Sequence, residues 1–163
     1  MKDIPKFYVE ELARPLKNIL LLFVITIGLG YGFGLRYLYI TSGAQPDTIQ
    51  EQYLGNESNE DAEVMKFKKT EKGILTFLHD HLFALGLIQL ILSLLIYFTK
   101  TSKRLKSFLI YEPFLSIIVT FSSIYLMWSG LSGLKYLVMV SGTLFHLTFV
   151  FSLIFIGYKL IKK

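Results

Sequence analysis

Four long apolar stretches constrain this chain more than any other feature of its sequence. They cover residues 19–40, 74–98, 108–134 and 136–158. Each is long enough, at about 1.5 Å per helical residue, to cross a hydrocarbon core of roughly 30 Å. The sequence therefore predicts an all-α fold, an integral membrane four-helix bundle forming a single membrane domain over residues 1–163.

The composition agrees with this interpretation and excludes several classes of protein. Only 18% of the residues are charged and 53% are hydrophobic, whereas soluble domains carry about 25% charged residues. An ordinary soluble enzyme and a disordered chain are therefore excluded. There is no cysteine, which excludes disulfides, thiolate metal sites, c-type haem attachment and cysteine-ligated iron–sulfur clusters.

The distribution of lysine and arginine predicts the orientation in the membrane. If the N-terminus is cytoplasmic, the inner segments 1–17, 99–107 and 159–163 hold 11 of the 17 basic residues. Short basic loops mark the cytoplasmic side best. We therefore expect a multi-pass protein of a bacterial inner membrane with both termini cytoplasmic. The net charge of +5 then reflects topology, and we expect lipid rather than nucleic acid as the partner.

Two segments outside the spans invite more specific expectations. Residues 1–17 mix apolar and charged side chains, which is typical of a short interfacial helix or of a solvated tail. The outer loop, residues 41–72, is too polar to form a core of its own. We expect its last residues, 64–72, to extend the second spanning helix above the membrane.

Glycines are concentrated in the first span, at Gly28, Gly30, Gly32 and Gly34. They form two small-xxx-small pairs, a spacing that lets a neighbouring helix approach closely in lipid. The partner helix could belong to the same bundle, to a second copy of the chain or to a larger complex.

Polar residues also recur along the third span. Their spacing places five small or flexible residues on one face, which we expect to look inward and to bind the helices together: Ser116, Thr120, Ser123, Met127 and Gly130. Glu112, next to Pro113, is expected to snorkel to the inner interface or to pair with Lys106 or Arg104, and the alternative is a proton-transfer role.

All three histidines, His79, His81 and His146, lie inside predicted spans. An ionisable side chain in a bilayer is costly, so its presence indicates a function by default. On a regular helix His79 and His81 are separated by about 200°, and one small ion cannot bind both. Helix phase favours His79 as the inward-facing residue, and Asp80 could act as a third metal ligand or orient an imidazole.

His146 lies near the middle of the fourth span, which suggests a b-type haem held between two helices. Predicted depth in the bilayer favours His81 as the second haem ligand beside His146, whereas the predicted inward-facing side of the second span favours His79. The alternatives are a solvated interfacial pair at His79 and His81, and a structural His146 bonded to Ser141 or to a serine of the third span.

A family resemblance appears at these residues. Tyr53-Leu54-Gly55 in the outer segment is followed by a span that opens with His79-x-His81-Leu-Phe-x-Leu-Gly, a basic turn and Pro-Phe. This order resembles a loosely characterised group of bacterial inner-membrane proteins, some of them similar to cytochrome c. The resemblance implies haem or metal at His79 and His81. This chain departs from it because the outer loop lacks the Cys-x-x-Cys-His segment.

Two functional hypotheses follow. In the first, His79, His81 and His146 bind haem b, or His79, Asp80 and His81 bind copper or zinc, in a redox- or metal-linked membrane protein. In the second, the protein is a non-catalytic accessory or scaffold subunit, or a homo-oligomer, with structural histidines. A small transporter or proton-handling protein is the third possibility.

Overall fold

A computed structural model describes residues 7–42, 45–57, 59, 61, 62 and 64–162. Within these ranges the chain is helical and contains no strand. A 3-10 turn at Val9–Glu11 precedes five helices, of which four are long and apolar enough to cross a membrane. The helices are α1 (Arg14–Ser42), α2 (Pro46–Leu54), α3 (Glu71–Tyr97), α4 (Lys103–Trp128) and α5 (Lys135–Ile161). The predicted all-α, four-span fold is confirmed.

Helices α4 and α5 form the centre of the bundle. They pack against each other most extensively, while α3 packs mainly on α4 and α1 mainly on α5. Leu92 and Ile96 of α3, Leu109 of α4, and Phe149 and Ile156 of α5 are almost fully buried between them. In contrast, only 6% of the most apolar window of α1 is buried. Helix α1 is therefore a peripheral element.

All four spanning helices begin before the predicted apolar stretches, and two boundaries have an identifiable local cause. Helix α3 begins at Glu71, where the Thr70 side chain accepts a hydrogen bond from the Gly73 amide, so the predicted helical extension over residues 64–70 is wrong. Helix α4 ends at Trp128 rather than at residue 134. The turn that follows contains Gly130 (φ 111°) and Gly133 (φ 83°), in a backbone region that favours glycine.

The outer loop contains a helix that the polarity of the segment concealed. Helix α2 has Pro46 in its first turn, the position where proline suits a helix start. Gly55 (φ 80°) ends it, and a side chain there would lie 2.6 Å from the Lys68 amide nitrogen. Asn56 then holds the returning chain, because its Oδ1 accepts from the Lys66 amide and its Nδ2 donates to the Val64 carbonyl.

The outer loop is also attached to the spanning helices. The indole N–H of Trp128 donates to the Lys69 carbonyl at 2.8 Å, and Lys68 lies over the Trp128 ring. Lys135 at the start of α5 pairs with Asp47 of α2, and the Tyr53 ring packs on Phe77 of α3. This part of the loop forms an ordered cap over the end of the bundle where α3 and α5 begin.

At the opposite end, residues 7–12 dock on the bundle. The Val9 amide donates to the Phe98 carbonyl at 2.9 Å, and the Phe7 and Phe98 rings stack with centroids 4.7 Å apart. Glu10 lies 3.0 Å from the Lys159 ammonium, and both side chains are mostly buried. Residues 7–12 are thus a docked segment with one 3-10 turn rather than a solvated tail, and residues 14–17 belong to α1. Residues 1–6 of the predicted segment lie outside the described residues.

The Glu10 anchor makes the docking of this segment pH-dependent. Burial opposes ionisation of Glu10, but hydrogen bonds from Lys159 and from backbone amides outweigh it, so the pKa lies below its ordinary value of 4.5. A carboxyl group whose pKa is lower in the folded than in the unfolded state stabilises the fold at pH values above its unfolded-state pKa. That stabilisation is lost as the pH falls through the folded-state pKa. We expect the docking of residues 7–12 to weaken progressively as the pH falls below the ordinary pKa of 4.5, measured as loss of hydrogen-exchange protection at the Val9 amide.

Glu10→Gln should abolish this pH dependence and weaken docking by roughly 1 kcal/mol, because solvent screens part of the interaction. Glu11→Gln is the matched control, since within the described part of the chain the Glu11 carboxylate pairs with Lys100 alone, at the exposed surface. Equal acid sensitivity of the Val9 amide in the wild-type protein and in Glu10→Gln would contradict the assignment.

Candidate functional site

His79 and Asp80 lie side by side on the outside of α3. The ring N–H at His79 Nδ1 donates to Asp80 Oδ1 at 3.1 Å, and the two side chains are 78% and 65% exposed. The prediction that His79 faces into the bundle is wrong. The buried face of α3 runs through Leu78, Leu92 and Ile96, and His79 is rotated by about 100° from Leu78 on a regular helix.

This pair lies in the first third of α3. Trp128 and Lys69 meet at the end of the bundle where α3 begins, and tryptophan is typical of the membrane–water interface. His79 follows the helix cap at Thr70 by nine residues, which corresponds to about 13 Å of helix. The pair therefore belongs to the apolar spanning helix α3 rather than to the polar loop that precedes it.

His81 occupies a different environment two residues later. Its ring N–H at Nδ1 donates to the Phe77 carbonyl at 2.9 Å. The imidazole also packs on the Phe77 ring at 4.2 Å and on Phe121 of α4 at 5.8 Å, measured between centroids. One of its two polar atoms is thus satisfied by its own helix, although the side chain is exposed.

His146 lies between α5 and α1. Its Nδ1 forms a hydrogen bond with the Tyr31 hydroxyl, and its ring packs edge-on against Tyr31 and near Phe145. The expected bond to Ser141 is absent, because the Ser141 hydroxyl donates to the Leu137 carbonyl and accepts from Thr120. His146 is accordingly a residue that links two helices. Nothing in the local sequence around Tyr31 indicates that it is the partner of His146.

The structure does not bring the three histidines together in one copy of the chain. The ring contacts of His81 are with α3 and α4, whereas His146 contacts α1 and its own helix. Across the described ranges, no group of three His, Asp or Glu residues lies close enough to hold a metal ion. The predicted site residues therefore occupy separate places along the bundle.

The glycines of α1 do not pack within the chain. A side chain added at Gly28, Gly30, Gly32 or Gly34 would meet no atom within 4 Å. Helix α1 contacts α5 instead through Val24, which lies 3.9 Å from the Cβ position of Gly157, and through Tyr31. Gly30 and Gly34 are exposed. Packing inside the bundle, one of the alternatives for this stripe, is therefore wrong, and association with another chain stays a prediction.

The inward polar face of α4 is confirmed for its helical members. Ser116, Ser123 and Met127 are buried, and Thr120 donates to Ser141 of α5 at 2.7 Å. Gly130 lies in the turn beyond the helix. Interhelical hydroxyl bonds of this kind hold spanning helices together in lipid.

Glu112 is buried on the same helix without a basic partner. The Ser116 hydroxyl donates to its Oε1, while Oε2 has no hydrogen-bond partner within the described residues. The expected pairing with Lys106 is wrong, since the Lys106 ammonium donates to the Tyr97 carbonyl at 2.8 Å. Lysine near a helix end reaches the interface in this way, which leaves the carboxyl deeper in the bundle.

Four apolar spanning helices with polar caps at both ends define a multi-pass membrane protein. Residues 43–163 match the family model Aq_1264_TM, described as a transmembrane helical domain. Since the match covers well over half of the chain, the protein belongs to this family. No curated protein and no solved structure matches it.

The contact between Tyr31 and His146 yields a prediction about the packing of α1. Tyr31→Phe removes the hydroxyl and leaves the imidazole without its interhelical partner. Interhelical hydrogen bonds in membranes contribute about 0.6 kcal/mol on average. We expect Tyr31→Phe to lower the free energy of unfolding in detergent by roughly that amount, measured by titration with a denaturing detergent.

Tyr37→Phe is the matched control, because Tyr37 lies on the same helix with its side chain exposed. A loss of stability that is equal in the two variants would show that the Tyr31 hydroxyl has no special role.

Proposed function

We propose that this protein is a non-catalytic accessory subunit that assembles laterally with another membrane-spanning chain. The observation that carries the proposal is the His79–Asp80 pair, which is exposed on the apolar spanning helix α3. Insertion measurements assign about 2.5–3.5 kcal/mol to an aspartate at the centre of a spanning helix. A protein partner that hydrogen-bonds to the pair would offset this cost, whereas acyl chains cannot.

The exposure of α1 supports the same proposal. This helix is the least buried of the four spans, and its glycines leave an open surface. Neither feature is needed for the fold of a single chain. Both suit a helix that receives a neighbour, because close backbone approach strengthens van der Waals packing where lipid offers no hydrophobic driving force.

We further infer that the bundle lies in a bacterial inner membrane with both termini in the cytoplasm. The basic residues that predict this orientation meet at one end of the bundle, where Lys100 and Lys159 contact the docked segment of residues 7–12. The opposite end carries the polar cap formed by α2 and residues 64–70.

Assembly is tested in membranes of the native host. We expect the tagged protein, extracted in mild detergent, to migrate on native gels in a complex larger than one chain. Gly30→Leu and His79→Ala should each lower the fraction in that complex at least severalfold. The former blocks close approach to α1, and the latter removes the donor to Asp80.

Val140→Phe serves as the control for added bulk. Val140 is exposed on α5 and belongs to neither α1 nor α3, so the complex should persist. If all three variants and the wild type migrate as single chains, lateral assembly is wrong.

A second candidate function is the binding of haem b or a transition metal through the histidines. One observation favours it: Asp80 accepts from His79 Nδ1, the arrangement by which carboxylates orient imidazole ligands and leave Nε2 available to a metal. His81 and His146 would then supply further ligands from other copies or after rearrangement. Imidazole binds haem iron, copper and zinc.

This second candidate predicts a Soret band or stoichiometric copper or zinc in protein purified from the native host. The signal should be lost in the His79→Ala/His81→Ala double variant while circular dichroism shows an intact helical fold. Protein that is fully folded, colourless and metal-free by elemental analysis would exclude the metal-linked function and leave assembly unaffected.

A further inference from the structure

We propose that a groove between α4 and α5 binds a small lipophilic amine, whose ammonium group pairs with the carboxylate of Glu112. The groove has a volume of about 270 Å³, just below the roughly 300–1,000 Å³ that is typical of sites for drug-sized ligands. It is lined by α4 and α5 alone, so the inference is independent of the lateral assembly proposed for α1 and α3.

The groove opens on the lateral surface of the bundle and has apolar walls. Leu115 of α4 and Val140 of α5 line it and are 62% and 61% exposed. Glu112 also lines it but is only 9% exposed, so its side chain lies at the floor. A ligand that reaches Glu112 therefore enters from the side of the bundle, and its body has to be apolar.

The hydrogen bonds at the floor leave one acceptor without a donor. The Ser116 hydroxyl donates to Glu112 Oε1, and the hydroxyl of Ser141, which also lines the groove, donates to the Leu137 carbonyl. Both hydroxyl protons are therefore used. Glu112 Oε2 is buried and has no hydrogen-bond partner within the described residues. A ligand that satisfies this oxygen has to supply the donor, which a ketone or an ether cannot do.

Charge favours an ammonium donor over a hydroxyl donor. No basic residue lines the groove, and the Lys106 ammonium donates to the Tyr97 carbonyl instead. An unpaired carboxylate in apolar surroundings is costly, and a charge-assisted hydrogen bond is about twice as strong as a neutral one. A carboxylic acid and a free amine combine to the same ion pair as a carboxylate and an ammonium, so the complex does not depend on which partner brings the proton.

The lining of the groove argues against a phospholipid headgroup as its occupant. Phosphatidylethanolamine carries a phosphate beside its ammonium, and the groove offers no basic side chain to pair with that phosphate. Glu112 also lies ten residues beyond the Ser102 cap of α4, which corresponds to about 15 Å of helix. A free amine with an apolar body matches the carboxylate and the walls without adding a second charge.

Three probes of similar size test the requirement for positive charge: 2-naphthylmethylamine, 2-naphthylmethanol and 2-naphthoate. Their binding is measured by isothermal titration calorimetry with the full chain in phosphatidylcholine nanodiscs, and protein-free nanodiscs correct for partitioning into lipid. We expect the amine to bind saturably at one site per chain and the alcohol to bind at least tenfold more weakly. The naphthoate should not bind, because its carboxylate repels that of Glu112.

Variants of the chain locate the site. Glu112→Gln keeps the size of the side chain and removes its charge, so it should lower the affinity for the amine at least tenfold and leave that for the alcohol within threefold. Asp80→Asn is the matched control, since Asp80 is a carboxylate exposed on α3, and it should leave the affinity for the amine within twofold. Val119→Phe narrows the groove that Val119 lines and should weaken binding of the amine at least fivefold.

Circular dichroism establishes that each variant is folded, and Val119→Phe, which retains the carboxyl group, carries the test if Glu112→Gln is not. The inference is overturned if the wild-type protein does not bind the amine saturably, if amine and alcohol bind equally, or if the folded groove variants bind the amine as the wild type does. Replacing half of the phosphatidylcholine with phosphatidylethanolamine should leave the affinity within twofold. Loss of amine binding there would identify the lipid headgroup as the occupant, and a free amine would be wrong.

Discussion

The structure depends on one constraint: within hydrocarbon, a polar group has to find its hydrogen bond in protein. Helices satisfy the backbone, which is why the apolar segments span as helices. Most side chains obey the same rule, as Thr120 does with Ser141 and Tyr31 with His146. His79 and Asp80 satisfy each other only in part and turn outward. Glu112 Oε2 and Gln89 Oε1 are buried without a hydrogen-bond partner among the described residues, but they lie inside the bundle. The His79–Asp80 pair is exposed on a spanning helix, and it is therefore the feature that a second chain would explain.

Polar chemistry outside the hydrocarbon closes the two ends of the bundle. On one side the Glu10–Lys159 pair and the Val9–Phe98 bond hold the first residues against α3 and α5. On the other side Trp128 and Asn56 organise the loop that carries α2. Helix α1 contacts α5 along the bundle and α2 at its end, where Lys66 donates to the Thr41 carbonyl. A spanning helix with so little buried surface is stabilised by lipid and free to receive a neighbour, which is consistent with an assembling subunit.

The histidines show where inference from helix phase fails. A period of 3.6 residues places His79 near Gly86 and Ser93, and Ser93 is indeed buried. Near the outer end, however, Leu78 occupies the inner side of α3 and His79 falls outside it. Helical periodicity gives the directions of side chains relative to one another, but neighbouring helices decide which direction is buried. A rotation of the helix by less than a third of a turn moves a side chain from the core to the lipid-facing surface. The same limitation hid Tyr31 as the partner of His146, since that contact joins residues 115 positions apart.

The sequence by itself determined the class of the protein. The length and apolarity of four segments predict four spanning helices, and the lack of cysteine excludes disulfides and thiolate ligands. Both conclusions follow from composition and local helix geometry, which the sequence contains. Tertiary structure alone decided which face of each span is covered. It separated the three histidines, left the glycines of α1 open, buried Glu112 without a basic partner and folded α2 from a polar loop. The reason is physical: burial and pairing arise between segments distant in the chain, and a bilayer accepts an apolar helix in any rotation until another helix packs against it.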